Sequence, residues 1–85
     1  MRQVYTSTYS QRYECTTRSL RLQGNVTSVR LENEFWKILD LLAEGQHLST
    51  PQFISQLYRE IIEIKGTAPN LASILRVTCV MHLHA

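Results

Sequence analysis

Cys79, His82 and His84, with His47 elsewhere in the chain, are residue types that ligate metal ions, and Cys79 and His82 stand three apart, on one face if their segment is helical. His84 leaves that face. A metal needs three or four converging ligands, so the histidines near the chain end read as solvated side chains, and no metal or other cofactor is expected. Glu60 with Glu63, or Glu32 with Glu34, supplies the carboxylate pair of an acid–base site, but no nucleophile or glycine-rich phosphate loop accompanies either pair. No enzyme and no catalytic residue are expected. A different chemistry is better supported. Ser28 and Arg30 alternate with Val29 and Leu31, which places hydrogen-bonding groups on one face of an extended segment and aliphatic groups on the other. Residues 1–30 carry Arg2, Arg12, Arg18, Arg21 and Arg30 against Glu14 alone, a net +4, whereas residues 31–85 carry a net −2. An arginine-only basic end suits a polyanion, and the acidic remainder does not.

Those side chains need rigid elements behind them. From Arg18, Leu20 and Leu22 alternate with Ser19, Arg21 and Gln23, and the pattern resumes from Val26 to Leu31. Strands are therefore expected over 18–23 and 26–31, with Gly24-Asn25 as a two-residue turn. Apolar spacing then changes to threes and fours. A first helix is expected over 33–44, with Phe35, Leu39 and Leu42 on one stripe, Ile38 and Leu41 on the next and Trp36 beside them; Gly45 should supply a left-handed cap. Ser49-Thr50-Pro51-Gln52 carries the signals of a capping box and an N-terminal proline, so a second helix is expected over 49–65. Its apolar residues Phe53, Ile54, Leu57, Tyr58, Ile61, Ile62 and Ile64 should form the centre of the core. Gly66 and Pro69 end it, and Asn70 caps a third helix over 70–82, despite the β-branched Val77, Thr78 and Val80. Residues 1–17, with tyrosines every fourth position but no aliphatic partners, read as a flexible arm before one domain of residues 18–85.

With 85 residues and a thin core, the chain is expected to complete itself as a homodimer or a higher oligomer. Cys15 and Cys79 are far apart, no cleavable apolar leader precedes them, and no apolar run approaches the roughly 20 residues that span a bilayer. The expectation is a reduced, cytoplasmic protein without membrane partners.

Strand, helix, Ser-Thr connection and helix over Thr27 to Ile64 resemble the ribbon-helix-helix DNA-binding family. The segments Thr27-Ser28-Val29-Arg30-Leu31-Glu32, Phe35-Trp36 and Asn70-Leu71-Ala72-Ser73-Ile74-Leu75-Arg76-Val77 are similar to a bacterial subfamily with an extra preceding strand and a third C-terminal helix. The resemblance implies a mainly α fold with a short β-ribbon, an intertwined homodimer whose antiparallel ribbon enters the major groove of double-stranded DNA, and a repressor-like regulator. It assigns base contacts to Val26, Ser28 and Arg30 and phosphate contacts to Ser49 and Thr50. Arg30 can grip a guanine edge bidentately, worth roughly 1–3 kcal/mol of discrimination. Val26 stands where the family commonly has a polar residue, so an apolar side chain there touches a thymine methyl, contacts nothing or signals weakened base reading. Ser19 and Arg21 of the extra strand either widen the DNA-facing surface or belong to a strand that covers it. The alternative is a dimerisation or protein-interaction module, such as an antitoxin-like partner, with little DNA specificity.

Overall fold

Gln23 and Gly24 both adopt positive φ, 53° and 83°. Two such residues in succession make the tight turn whose twist matches that of flanking strands. The turn therefore lies one residue before the expected Gly24-Asn25, because glycine occupies its second position and Gln23 accepts the left-handed first one. In this computed structural model, which describes residues 11–67 and 70–84, the turn joins strands β1 (Cys15–Leu22) and β2 (Asn25–Glu32). They pair antiparallel from Cys15 opposite Glu32 to Leu22 opposite Asn25. Against expected limits of 18–23 and 26–31, β1 starts three residues earlier and ends one sooner, and β2 is one residue longer at each end. Cys15 to Thr17, which the sequence reading put in a flexible arm, extend the ladder although all three are exposed, and residues 11–13 are helical. Backbone bonding holds this extension where apolar periodicity gives no signal. The Asn33 amide donates to the Glu14 carbonyl at 2.7 Å, and Thr16 donates its hydroxyl to Asn33 Oδ1. The remainder of the expected arm, residues 1–10, and Pro69 lie outside the described residues.

Helices α1 (Asn33–Gly45), α2 (Thr50–Lys65) and α3 (Leu71–Leu83) follow, each within a residue of its expected limits. Gly45 is the last helical residue rather than a left-handed cap; His47, at φ 60°, makes the reversal instead. At α2 the capping box is complete. Ser49 Oγ accepts from the Gln52 amide, Gln52 Oε1 accepts from the Ser49 amide, and Gly66 at φ 82° closes the other end. Asn70 caps α3 by accepting from the Ser73 amide. The β-branched stretch of α3 stays helical, with the Thr78 hydroxyl donating back to the Ile74 carbonyl at 2.8 Å.

The core lies between one face of the hairpin and the three helices. Leu20, Leu22, Val29 and Leu31 enter it from the hairpin, Trp36, Ile38, Leu39 and Ala43 from α1, Phe53 and Ile54 from α2, and Leu75 and Cys79 from α3. Each aliphatic side chain so buried stabilises the fold by roughly 1.5–3 kcal/mol relative to exposure. Only the first half of α2 joins this core, whereas the sequence reading gave it the centre. Leu57, Tyr58, Ile61 and Ile62 are half-buried and Ile64 is 82% exposed. Leu41, expected on a buried stripe, is likewise exposed. A groove of about 410 Å³ opens between α2 and α3, its apolar lining including Leu57, Ile61, Ile74, Val77 and Met81.

Candidate nucleic-acid interface

Register decides what the outer face of the hairpin presents. Ser19 lies opposite Ser28, Arg21 opposite Val26 and Thr17 opposite Arg30. Side chains alternate across the pleat, so these six share the face turned away from Leu20, Leu22, Val29 and Leu31, and all six are exposed. The structure thus brings Ser28, Arg30 and Val26 together with Ser19 and Arg21. β1 does not cover β2 but lies beside it and doubles the outward surface. Thr17 was missed by the sequence reading, although it continues the alternation of Ser19 and Arg21 by one step.

The arginines divide into two sets. Arg18 projects toward the helices, where Nη1 and Nη2 donate to Asp40 Oδ1 and Oδ2 at 2.9 and 3.1 Å, and its guanidinium lies 4.4 Å from the centre of the Trp36 ring. Trp36 Nε1 donates to the Thr16 carbonyl at 2.8 Å. Arg12 pairs with Glu34, and Arg76 Nε donates to Glu32 Oε1 at 3.0 Å, tying the end of β2 to α3. Arg21 and Arg30 form no salt bridge among the described residues. Their charge faces solvent on the ribbon, while neighbouring arginines are spent on holding the ribbon in place. A bidentate guanidinium of this kind satisfies a guanine edge or a phosphate equally well in geometry, and position on the face determines which it meets.

Ser49 and Thr50, expected on phosphates, part company. Ser49 is exposed, and its oxygen accepts from Gln52, which leaves the hydroxyl proton available. Thr50 is half-buried and donates its hydroxyl to Asp40 Oδ1 at 2.6 Å, so that proton is already engaged. No sequence signal marked Asp40, the carboxylate that joins β1, α1 and the start of α2.

The Arg18 hydrogen bonds hold the Asp40 carboxyl below its ordinary value of 3.8 against the opposing effect of desolvation, with Thr50 assisting. A depressed folded-state value means stabilisation present above the ordinary carboxylate range and lost as pH falls through the lowered value. Asp40→Asn is therefore expected to cost about 1 kcal/mol at pH 7, the upper end for a partly exposed pair. The variant and the wild type should converge in acid, once pH has fallen through that lowered value. Urea denaturation at neutral and at acid pH checks this, and a penalty of equal size at both would show that the charge is not what the clamp uses. Glu32 is likewise held low, first by a backbone hydrogen bond and then by Arg76.

Among the described residues no three His, Cys, Asp or Glu side chains converge to hold a metal. Cys79 is fully buried, its thiol donates to the Phe35 carbonyl at 3.6 Å, and burial pushes its pKa up to about 11. Within the described residues no helix is long and apolar enough to cross a membrane.

A family model described as a ribbon-helix-helix domain matches residues 15–83, from the first residue of β1 to the last of α3. Among solved structures, an uncharacterized protein from Bordetella pertussis Tohama I is similar at 37% sequence identity with a TM-score of 0.87. The match covers 95% of this chain and 65% of that one, so the chain spans less than two thirds of that protein's length. No curated protein matches.

Proposed function

Because the chain belongs to the ribbon-helix-helix family, we propose that it is a transcriptional regulator, repressor-like, which binds double-stranded DNA sequence-specifically as a homodimer by setting an antiparallel β-ribbon into the major groove. The observation that carries this reading is the outer hairpin face, where Ser28 and Arg30 stand exposed beside Ser19 and Arg21, the two arginines forming no salt bridge among the described residues. The major groove is about 12 Å wide and admits a two-stranded ribbon. Arg30 takes a guanine edge, Ser28 donates or accepts beside it, and Val26, 64% exposed, meets a thymine methyl. Ser49, with Thr50 behind it, lies at the start of α2 where phosphate contacts fix position without specifying sequence. A cytoplasmic location accompanies this reading.

Fluorescence anisotropy with duplex fragments from around the protein's own gene tests the proposal. Wild type should bind one fragment tightly with a steep salt dependence, and Arg30→Ala should weaken that binding by about tenfold or more. A second reading, an antitoxin-like protein-interaction module, is favoured by the apolar groove between α2 and α3. It expects weak binding to every fragment, indifferent to Arg30.

A further inference from the structure

Thr50, Pro51, Gln52 and Phe53 open α2, and an α-helix pairs none of its first four amides internally. Three of the four positions are settled. The Gln52 amide donates to Ser49 Oγ, the Phe53 amide donates to the Ser49 carbonyl at 2.9 Å, and Pro51 has no amide hydrogen. The Thr50 N–H alone of the four has no partner among the described residues, and the free hydroxyl proton of Ser49 stands beside it in the chain. Capping accounts for neither donor. What restrains them comes from outside the helix. The Thr50 hydroxyl donates to Asp40 Oδ1 at 2.6 Å, and the same carboxylate takes both Arg18 nitrogens at 2.9 and 3.1 Å. Arg18 belongs to β1, opposite Val29 of β2, with its guanidinium against Trp36. One carboxylate thus ties the back of the hairpin to the first residue of α2. A β-branched side chain is stiff at χ1, so holding the Thr50 hydroxyl holds the residue that carries the open amide.

We propose that Asp40 is a positioning residue for a phosphate grip: by holding the Thr50 hydroxyl it aims the Thr50 N–H, beside the Ser49 hydroxyl, at one DNA phosphate, and the Thr50 side chain itself touches no DNA. The inference rests on the reading that the start of α2 meets phosphate. It moves the Thr50 hydroxyl from contact to latch, because its proton is already given to Asp40. A bare carboxylate at this place would repel the phosphate. The bidentate Arg18 offsets that charge where it stands.

Fluorescence anisotropy on two duplexes, the fragment from around the protein's own gene that wild type binds best and an unrelated one, tests this with full-length variants. Asp40→Ala and Thr50→Val should each weaken binding to both duplexes by about tenfold, the effect of losing a hydrogen bond to a charged group. The preference between the duplexes should not change, since phosphate contacts carry no sequence information. The sign is decisive. Removing a carboxylate makes the protein more positive, which by charge alone tightens its hold on a polyanion. Thermal melts show that each variant is folded at the assay temperature. The double variant should bind no more weakly than either single one, because both remove the same bond, and Thr50→Ser, which keeps the hydroxyl, should recover wild-type binding. If Asp40→Ala binds at least as tightly as wild type while Thr50→Val is weakened, the Thr50 hydroxyl meets phosphate directly and the inference falls. A loss in Asp40→Ala with none in Thr50→Val would make the carboxylate act through Arg18, and additive losses in the double variant would make the two residues independent; either overturns it. A wild type that binds neither duplex overturns the DNA-binding reading itself, and that is seen before any variant is made.

Discussion

Trp36→Ala is expected to destabilise the fold by about 3–5 kcal/mol, the range for losing a buried large aromatic, and to lower the melting temperature by more than about 12 °C. The size follows from what the indole touches. It is 2% exposed, it packs in the core from α1, its Nε1 holds the Thr16 carbonyl of β1, and its face carries the Arg18 guanidinium. A small domain has only about 5–15 kcal/mol in total, so this one residue commands a large share. Trp36→Phe separates the contributions. It keeps most of the packing and removes the donor, and since Thr16 is exposed its carbonyl can turn to water, for a cost of about 1 kcal/mol. Chemical denaturation of the three proteins gives the answer, and an alanine variant within about 1 kcal/mol of wild type would mean that β1 is not anchored through the indole.

If two copies pair through the groove between α2 and α3, placing glutamate at both Val77 and Met81 should disperse the homodimer while leaving the single chain folded. The two side chains are 55% and 66% exposed and line the groove between α2 and α3. In a lone chain the new carboxylates would lie in water at little cost. Against a second copy they would be buried without partners, a penalty of about 3 kcal/mol or more, equivalent to at least about 100-fold in Kd. Light scattering across a dilution series reads the mass, and thermal melts read the fold. Unchanged dimerisation would place the contact between copies elsewhere, whereas loss of the fold would mean that α3 depends on this face within the chain.

Local chemistry made much of this fold readable. The Ser49-Thr50-Pro51-Gln52 start of α2 requires only residues within one turn of each other, and all of its hydrogen bonds are present. Alternation likewise revealed the outward set of Ser28 and Arg30, since a strand with one buried face admits a single assignment of its side chains. The turn was misplaced by one residue because the first left-handed position falls on Gln23, a residue type that rarely takes it. The start of β1 was missed because Cys15, Thr16 and Thr17 bury nothing and are held by backbone pairing and by Trp36 and Asn33, some twenty positions away. The separation of Arg18 and Arg12 from Arg21 and Arg30 was equally invisible. It depends on where Asp40 and Glu34 arrive in the fold, which no spacing in the strand announces.

The two cysteines divide between surface and core, and that division makes the chain its own gauge. Cys15 stands exposed at the head of β1, and Cys79 is sealed beneath α1 with a thiol that resists ionisation. A thiol reagent should consume the first at once, whereas the second must wait for the core to open, because the reactive species is the thiolate and it needs access. The lag between the two modifications measures how often the molecule opens, without any added label. A DNA element or a second copy that binds only the closed form should lengthen that lag by the factor 1 + [L]/Kd. Mass spectrometry of a timed reaction can thus rank ligands for this chain with no mutation and no map of where they bind.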